Sequence, residues 1–277
     1  FYYCRNLTSI EIPSSVTSIG ERAFAYCNAL SVIKCYAEDV PEGDNIFYEV
    51  SPDMMILVPA TALEEYQSSS PWNEYNLIAM PEDGEPYIGN YVEIDYDDYS
   101  LIYITTSVSP AECMVKCGKR PTTPTTITIP STVEIEGAEY SVTSIGYGAF
   151  YGCYDNLIGI EIPSSVTSIG DYAFVECALL NVEIAGSVTS IGGYAFAECW
   201  ILTSVTFGDN SQLTSIGDYA FADCEYLTSV TFGDNSQLTS IGDYAFVECE
   251  SLTSVTFGDN SKLTSIGEAA FAECLLI

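Results

Sequence analysis

The sequence predicts an α/β repeat protein: a solenoid of short parallel strands, short helical or 3₁₀ turns and a second set of short strands. Three observations carry this. The string TSVTFGDNSQLTSIGDYAF at Thr203–Phe221 recurs almost letter for letter at Thr228–Phe246 and Thr253–Phe271. The Ala-Phe pair of that unit falls at Phe150, Phe174, Phe196, Phe221, Phe246 and Phe271, at intervals of 24, 22, 25, 25 and 25 residues. A fixed period in this range marks a stacked repeat. Lastly, one unit cannot bury its own apolar residues. Leu202, Val205 and Phe207 form a short β-branched-rich set suited to a strand, Leu213 and Ile216 a second set, and Ala220, Phe221 and Cys224 a third at helical spacing. Stacking units turns each set into a continuous column. Gly217 is expected to supply the bend and Asp218 to cap the helical turn.

Taken in order, residues 1–35 begin in mid-repeat. Phe1–Cys4 ends one unit, Leu7–Pro13 is the next strand, and Leu30, Ile33 and Cys35 repeat the strand pattern before it stops. Tyr36–Met80 holds neither Ile-Gly nor Ala-Phe. A strand at Met55–Val58, a helix opened by the capping box Thr61-Ala62-Leu63-Glu64 and ended by Pro71, and a strand at Leu77–Met80 are expected there. Such a strand–helix–strand segment suits a C-terminal cap over an exposed repeat edge. Pro81–Asn90 is polar and rich in proline and glycine, as linkers are. A hairpin around Asp97-Asp98, a strand at Cys113–Cys117, a strand at Thr126–Pro130 and a turn at Glu136-Gly137 then read as a β-hairpin-type N-terminal cap. From Val142 the unit runs unbroken. Its length changes in one turn, where IPSSV at 162–166 becomes FGDNSQL at 207–213. The expected division is therefore 1–80 as the end of one solenoid with its cap, 81–90 as linker, and 91–277 as the start of a second. Both termini are then uncapped, which predicts head-to-tail self-association or a piece of a longer protein.

Composition narrows the function classes. Thirty-nine acidic residues against seven basic ones give a formal charge of −32. Such a surface repels nucleic acid and anionic membranes and favours cationic partners. Histidine is absent, which removes the commonest general base and zinc ligand. No apolar run approaches the ~18 residues that span a bilayer, and no signal peptide is read in the chain. Eight of the eleven cysteines close a Phe-x-x-Cys tetrad, at Cys4, Cys27, Cys153, Cys177, Cys199, Cys224, Cys249 and Cys274. They read as small buried hydrophobes of the repeat, close enough between neighbours for occasional oxidation. Cys35 fits a strand position, and only Cys113 and Cys117 stand outside the system.

The pattern Leu-x-x-Val-x-Phe/Ile-(Pro), then Leu/Val-x-x-Ile-Gly-x-x-Ala-Phe-x-x-Cys, resembles the BspA-type leucine-rich repeats of bacterial surface proteins, over residues 1–35 and 142–277. Both caps are similar to segments that end and begin such arrays in Bacteroidetes-type proteins. The resemblance implies a right-handed leucine-rich-repeat solenoid with its parallel sheet on the concave face. It also implies a cell-surface or secreted location and adhesion to host or bacterial partners.

The candidate site residues follow from the strand pattern. Thr203, Ser204 and Thr206, with Thr228, Ser229, Thr231, Thr253, Ser254 and Thr256, predict a hydroxyl-rich, uncharged inner face able to meet a protein or glycan. Tyr172, Tyr194, Tyr219 and Tyr244 share one repeat position and should form a column on the convex side, as contact surface or as half-buried packing. Acidic columns stack at repeat spacing: Asp209, Asp234 and Asp259; Asp218, Asp243 and Glu268; Asp223, Glu248 and Glu273. They read as solvated turns, with calcium as the alternative that would relieve their repulsion. Glu93, Asp95, Asp97 and Asp98 are weighed the same way, and Lys116, Lys119 and Arg120 read as a hairpin tip. Near-identical repeats supply no asymmetric pocket for paired carboxylates, so no enzyme, cofactor or catalytic residue is expected. A binding module and a structural spacer with no ligand of its own remain the two readings.

Overall fold

Each full repeat strand alternates polar and apolar residues, as in Ser204-Val205-Thr206-Phe207, so Val205 and Phe207 point inward and Ser204 and Thr206 outward. The computed structural model describes residues 1–5, 7–51, 54–80 and 88–274. Of the expected linker 81–90, residues 81–87 lie outside the described residues, as do 275–277 of the expected open end. The chain divides into two compact units, Phe1–Val92 with Ile104–Ala111, and Glu93–Tyr103 with Glu112–Ile277.

In the first unit, β1 (Ser9–Ile12), β2 (Val32–Cys35), β3 (Met55–Pro59) and β4 (Asn76–Met80) form a parallel sheet in chain order. Ile10, Ile33, Ile56 and Leu77 share one register position across it. Helix α1 (Leu63–Ser68) and a 3₁₀ turn at Trp72–Glu74 lie between β3 and β4. The strand–helix–strand segment is thus present, but the capping box is not. Ala62 stands at the N-cap with no side-chain bond, because the Thr61 hydroxyl donates instead to the Glu38 carboxylate at 2.6 Å.

The repeat also persists one turn further than its letters. Phe47 continues the stack of Phe1 and Phe24, with centroids 5.3 and then 6.0 Å apart. The Phe24 N–H donates to Ile46 and that of Tyr26 to Tyr48. Gly43, Ile46 and Phe47 occupy the Gly-x-x-Ala-Phe positions in disguise. Beyond Phe47, buried Trp72 and partly buried Tyr75 meet its ring edge-on at 5.3 and 5.2 Å. The Tyr75 hydroxyl donates to the Phe47 carbonyl at 2.9 Å, and the buried Tyr66 hydroxyl to that of Ala37 at 3.0 Å.

Further along the chain, β5 (Tyr91–Tyr96), β6 (Tyr99–Val108) and β7 (Ala111–Cys117) are neighbours in one sheet. Next, β8 (Thr125–Thr128) pairs in parallel with β11 (Leu157–Glu161), and β9 (Thr132–Ile135) forms a hairpin with β10 (Ala138–Ile145). The expected turns are found: Asp97 has φ 59°, and Glu136 and Gly137 have φ 50° and 81°, the left-handed pair that a tight two-residue hairpin requires. In the repeats, β13 (Asn181–Ile184), β15 (Ser204–Phe207), β17 (Ser229–Phe232) and β19 (Ser254–Phe257) form an in-register parallel sheet. The two-residue strands β12 (Ser168–Ile169), β14 (Ser190–Ile191), β16 (Ser215–Ile216), β18 (Ser240–Ile241) and β20 (Ser265–Ile266) extend the sheet of β10 and β7.

The third side of each rung corrects the sequence reading. No helical or 3₁₀ turn forms over Asp218–Cys224. Tyr219 and Asp223 adopt φ 56° and 57°, which interrupts a right-handed helix. The N–H groups of Tyr219, Phe221 and Asp223 donate to Asp243, Ala245 and Val247 of the next rung at 2.9, 2.8 and 2.9 Å. Buried backbone donors must be paired, and here the next rung offers acceptors in line. Asp218 caps nothing in its own rung, since its Oδ1 accepts the Asp243 N–H at 2.8 Å.

The glycines are kept for closeness rather than for a bend. A Cβ on Gly217 would lie 2.6 Å from the backbone of Gly192 and Gly193. A Cβ on Gly233 would lie 2.5–2.6 Å from Asp209 and Gly208, whereas one on Gly208 would meet nothing within 4 Å. The loops Thr206–Thr214 and Thr231–Thr239 have the same sequence; only the rung beneath differs, because Ile184–Val188 takes a shorter turn. Gly233→Ala should therefore cost roughly 1–3 kcal/mol through overpacking. Gly208→Ala should be neutral or stabilise by up to ~1 kcal/mol. Denaturant unfolding of the two variants checks this, and equal effects would contradict it.

Candidate functional site

The outward side chains of β13, β15, β17 and β19 do not all do the same thing. Thr203, Thr228 and Thr253 turn their hydroxyls back onto the preceding rung, to the carbonyls of Leu180, Thr203 and Thr228 at 3.0, 3.0 and 3.3 Å. Thr203 and Ser204 also donate to Asn181 Oδ1, at 2.8 and 2.7 Å. Thr206, Thr231 and Thr256 are exposed, in register and behind Glu183, and among the described residues their hydroxyls have no hydrogen-bond partner. The predicted face is brought together, but four of its nine hydroxyls are spent on the protein itself.

A second threonine row went unread. Thr167, Thr189, Thr214, Thr239 and Thr264 each donate to the carbonyl of the preceding member of the row, at 3.1, 2.9, 2.9, 2.9 and 3.0 Å. The cysteines do likewise: the thiols of Cys177, Cys199, Cys224, Cys249 and Cys274 donate to Phe150, Phe174, Phe196, Phe221 and Phe246 carbonyls at 3.1–3.3 Å. The recurrence of Thr before Ser-Ile and of Cys after Phe was the available signal. Cysteines 4, 27, 35, 113, 117, 153, 177, 199, 224, 249 and 274 are free, and burial pushes the Cys199 thiol up to about 12.

The tyrosines stack as expected. Rings of Tyr172, Tyr194, Tyr219 and Tyr244 lie 5.0, 4.7 and 4.9 Å apart within 7° of parallel. They are half-buried, and Tyr172, Tyr194 and Tyr219 pack against the cluster of Val175, Ala197 and Ala222. The carboxylate columns separate into two kinds. Asp209 and Asp234 accept the N–H of Asp234 and Asp259 at 2.9 and 2.7 Å, and Asp218 and Asp243 those of Asp243 and Glu268 at 2.8 and 2.7 Å. These acids are clips between rungs. Glu176, Glu198, Asp223 and Glu248 are not. Burial, then the charges of Glu176 and Asp223, raise the Glu198 carboxyl, and one Glu176 oxygen is buried with no partner among the described residues.

In the hairpin cluster, Glu93 accepts from the Ser100 hydroxyl. Asp98 takes the N–H and hydroxyl groups of Thr122 and Thr123, which hold its carboxyl well below the usual range. Lys119 donates to the Asp97 carbonyl at 2.9 Å. Among the described residues no group of three or more His, Cys, Asp or Glu is placed to hold a metal ion, and no helix is long and apolar enough to cross a membrane.

The BspA-type leucine-rich repeat signature matches residues 1–77 and 141–277 in six copies. The chain belongs to the BspA-type leucine-rich repeat family. No curated protein matches it. The fold is shared with a leucine-rich repeat protein from Eubacterium ventriosum, 22% identical, covering 100% of this chain and 79% of that one at a TM-score of 0.58. It is also shared with a leucine-rich cell surface protein from Faecalibacterium prausnitzii, 23% identical, covering 95% and 62% at a TM-score of 0.54. The pneumococcal vaccine antigen PcpA is 19% identical over 69% of this chain, at a TM-score of 0.54; the match spans 49%, about half, of that protein's length. The BspA-type repeat thus explains the strand, Ile-Gly and Phe-x-x-Cys positions together, and leaves the outward side chains as what is particular to this member.

The sign of one pH effect follows from the Glu198 column. A carboxyl raised in the folded state favours folding when protonated. Its contribution is fully present below the ordinary value of about 4.3 and is lost as pH rises through the raised one. Glu198→Gln should therefore raise Tm at neutral pH, with the gain shrinking as pH falls toward about 4. Thermal melts across that range check it, and a gain that grows on acidification would contradict it.

Proposed function

We propose that this chain is a non-enzymatic binding module, secreted by a bacterium or displayed on its surface, that recognises a protein or glycan partner through the outward row Thr206, Thr231 and Thr256. The observation that carries the reading is the contrast within one strand. Thr203, Thr228 and Thr253 are consumed by the ladder, while the threonines three residues on are exposed, in register and without partners among the described residues. Repeating hydroxyls at the ~4.8 Å strand spacing offer a polar array with both donor and acceptor capacity. Ser229 and Ser254 flank it. The stacked tyrosines are the secondary candidate contact surface. The surface location draws support from the fold shared with a cell surface protein and a vaccine antigen.

A spacer with no ligand is the second reading, and the near-identity of the three terminal repeats favours it, since a lever arm needs only sameness. An array of host matrix proteins and glycans, screened with and without calcium, separates the two. For a binding face, the combined Thr206→Lys, Thr231→Lys and Thr256→Lys variant should lose capture with Tm unchanged. A spacer would capture nothing to begin with. Capture surviving the three lysines would remove the threonine row from consideration.

A further inference from the structure

Neighbouring rungs differ in one place that matters. Trp200–Cys224 and Glu225–Cys249 match at every position but four, 200/225, 201/226, 222/247 and 223/248. Two of these exchange Ala for Val and Asp for Glu. The other two exchange Trp200 for Glu225 and Ile201 for Tyr226, and the following rung carries Glu250 and Ser251 there. The divergent pair follows the buried cysteine and precedes the buried leucine that leads into the strand, so it forms the corner of the rung.

The core asks for none of these side chains. Trp200 is 40% exposed, Ile201 39% and Tyr226 58%; Leu180, whose carbonyl receives the Thr203 N–H, is 44% exposed. Trp200, Ile201 and Tyr226 are therefore left in water at a place where the same fold also accepts Glu250 and Ser251. Leu180 is left in water just ahead of the strand, at the position where the next rung carries Thr203. Exposed apolar side chains gathered on neighbouring rungs mark an interaction surface, and Trp and Tyr are the residues that most often dominate one.

Charge decides what fits. The exposed Glu225 and Glu250 continue the Trp200 position up the stack, and Lys262 is the only basic residue after Arg120 in a chain of net charge −32. An acidic partner is repelled, and a neutral glycan leaves Leu180 and Ile201 unexplained. We propose that this corner docks a basic amphipathic segment of another protein, its apolar side chains over Leu180, Trp200, Ile201 and Tyr226 and its cationic ones against Glu225 and Glu250. Cation–π contact with the exposed rings adds to the same preference.

The chain carries its own reporter, because Trp72 is fully buried and Trp200 is 40% exposed. The probe is a synthetic amphipathic peptide of leucine and lysine, titrated into the full chain while tryptophan emission is followed. The test variant combines Leu180→Thr, Ile201→Ser and Tyr226→Ser, residues that the chain itself places at equivalent positions in Thr203 and Ser251. It keeps Trp200, and its Tm should match the parent. The expected result is a blue shift that weakens with salt and an affinity about tenfold or more lower in the variant. The proposal is overturned by equal affinity in the two proteins, by oligolysine binding as tightly as the amphipathic peptide, or by no shift at all. A leucine–glutamate peptide or a neutral oligosaccharide producing the shift instead would also overturn it. The Thr206, Thr231 and Thr256 row is intact in this variant, so its result does not depend on that of the strand face.

Discussion

Rung-on-rung distance is the constraint from which the rest follows. Parallel strands lie ~4.8 Å apart, and the phenylalanine rings at 150, 174, 196, 221, 246 and 271 stack at 4.9–5.2 Å in step with them. At that distance each side chain has the same residue of the next rung as its principal neighbour. The sequence must then solve one contact and repeat the solution. Flat rings stack, threonine reaches the carbonyl of the row beneath, aspartate accepts the next backbone N–H, and cysteine is short enough to donate to the phenylalanine carbonyl behind it. Glycine stands where two backbones approach too closely for a Cβ. The near-identity of the units is a packing requirement as much as a record of duplication.

The same constraint shapes the energetics. Several columns repeat a group that gains from its own copy, and their contributions grow with the number of rungs. Carboxylates gain from stacking only when the copy presents a donor. Asp209, Asp218, Asp234 and Asp243 find a backbone N–H; Glu198 finds the charges of its neighbours. One residue type at one spacing thus has opposite effects on the two sides of the turn, and the backbone geometry decides which.

Much of this was legible in the letters. Period-two alternation announced β13, β15, β17 and β19, the second apolar set of Leu213 and Ile216 fits the short strands, and Glu136-Gly137 announced its hairpin. What stayed hidden was whatever depends on the neighbouring rung rather than on the local string. Ala220, Phe221 and Cys224 sit at helical spacing, yet their segment is a run of turns rather than a helix, because the N–H groups of Tyr219, Phe221 and Asp223 are answered by the next rung and that of Ala222 by Tyr219. Asp218 has the composition of a cap and is a clip. Gly208 and Gly233 share a local sequence and differ only in what lies below. Phe47 continues a column whose letters had already changed around it. In the candidate face, the pattern marked nine hydroxyls as equivalent, and only the ladder geometry separates the row that is used internally from the row that is not.

Stacking also tells where function has room to act. A position that must match its copies above and below cannot be tuned to a partner without being changed in every rung. The outward Thr206 row is uniform without that requirement, since its hydroxyls have no partner among the described residues and Glu183 stands in the same register. The corner at Trp200, Ile201 and Tyr226 is the opposite case, because three rungs otherwise held nearly identical accept Trp, Glu, Ile, Tyr and Ser there. A solenoid of this kind has two surfaces of different information content, one set by its period and one by its exceptions. Only the exceptions distinguish one rung from the next.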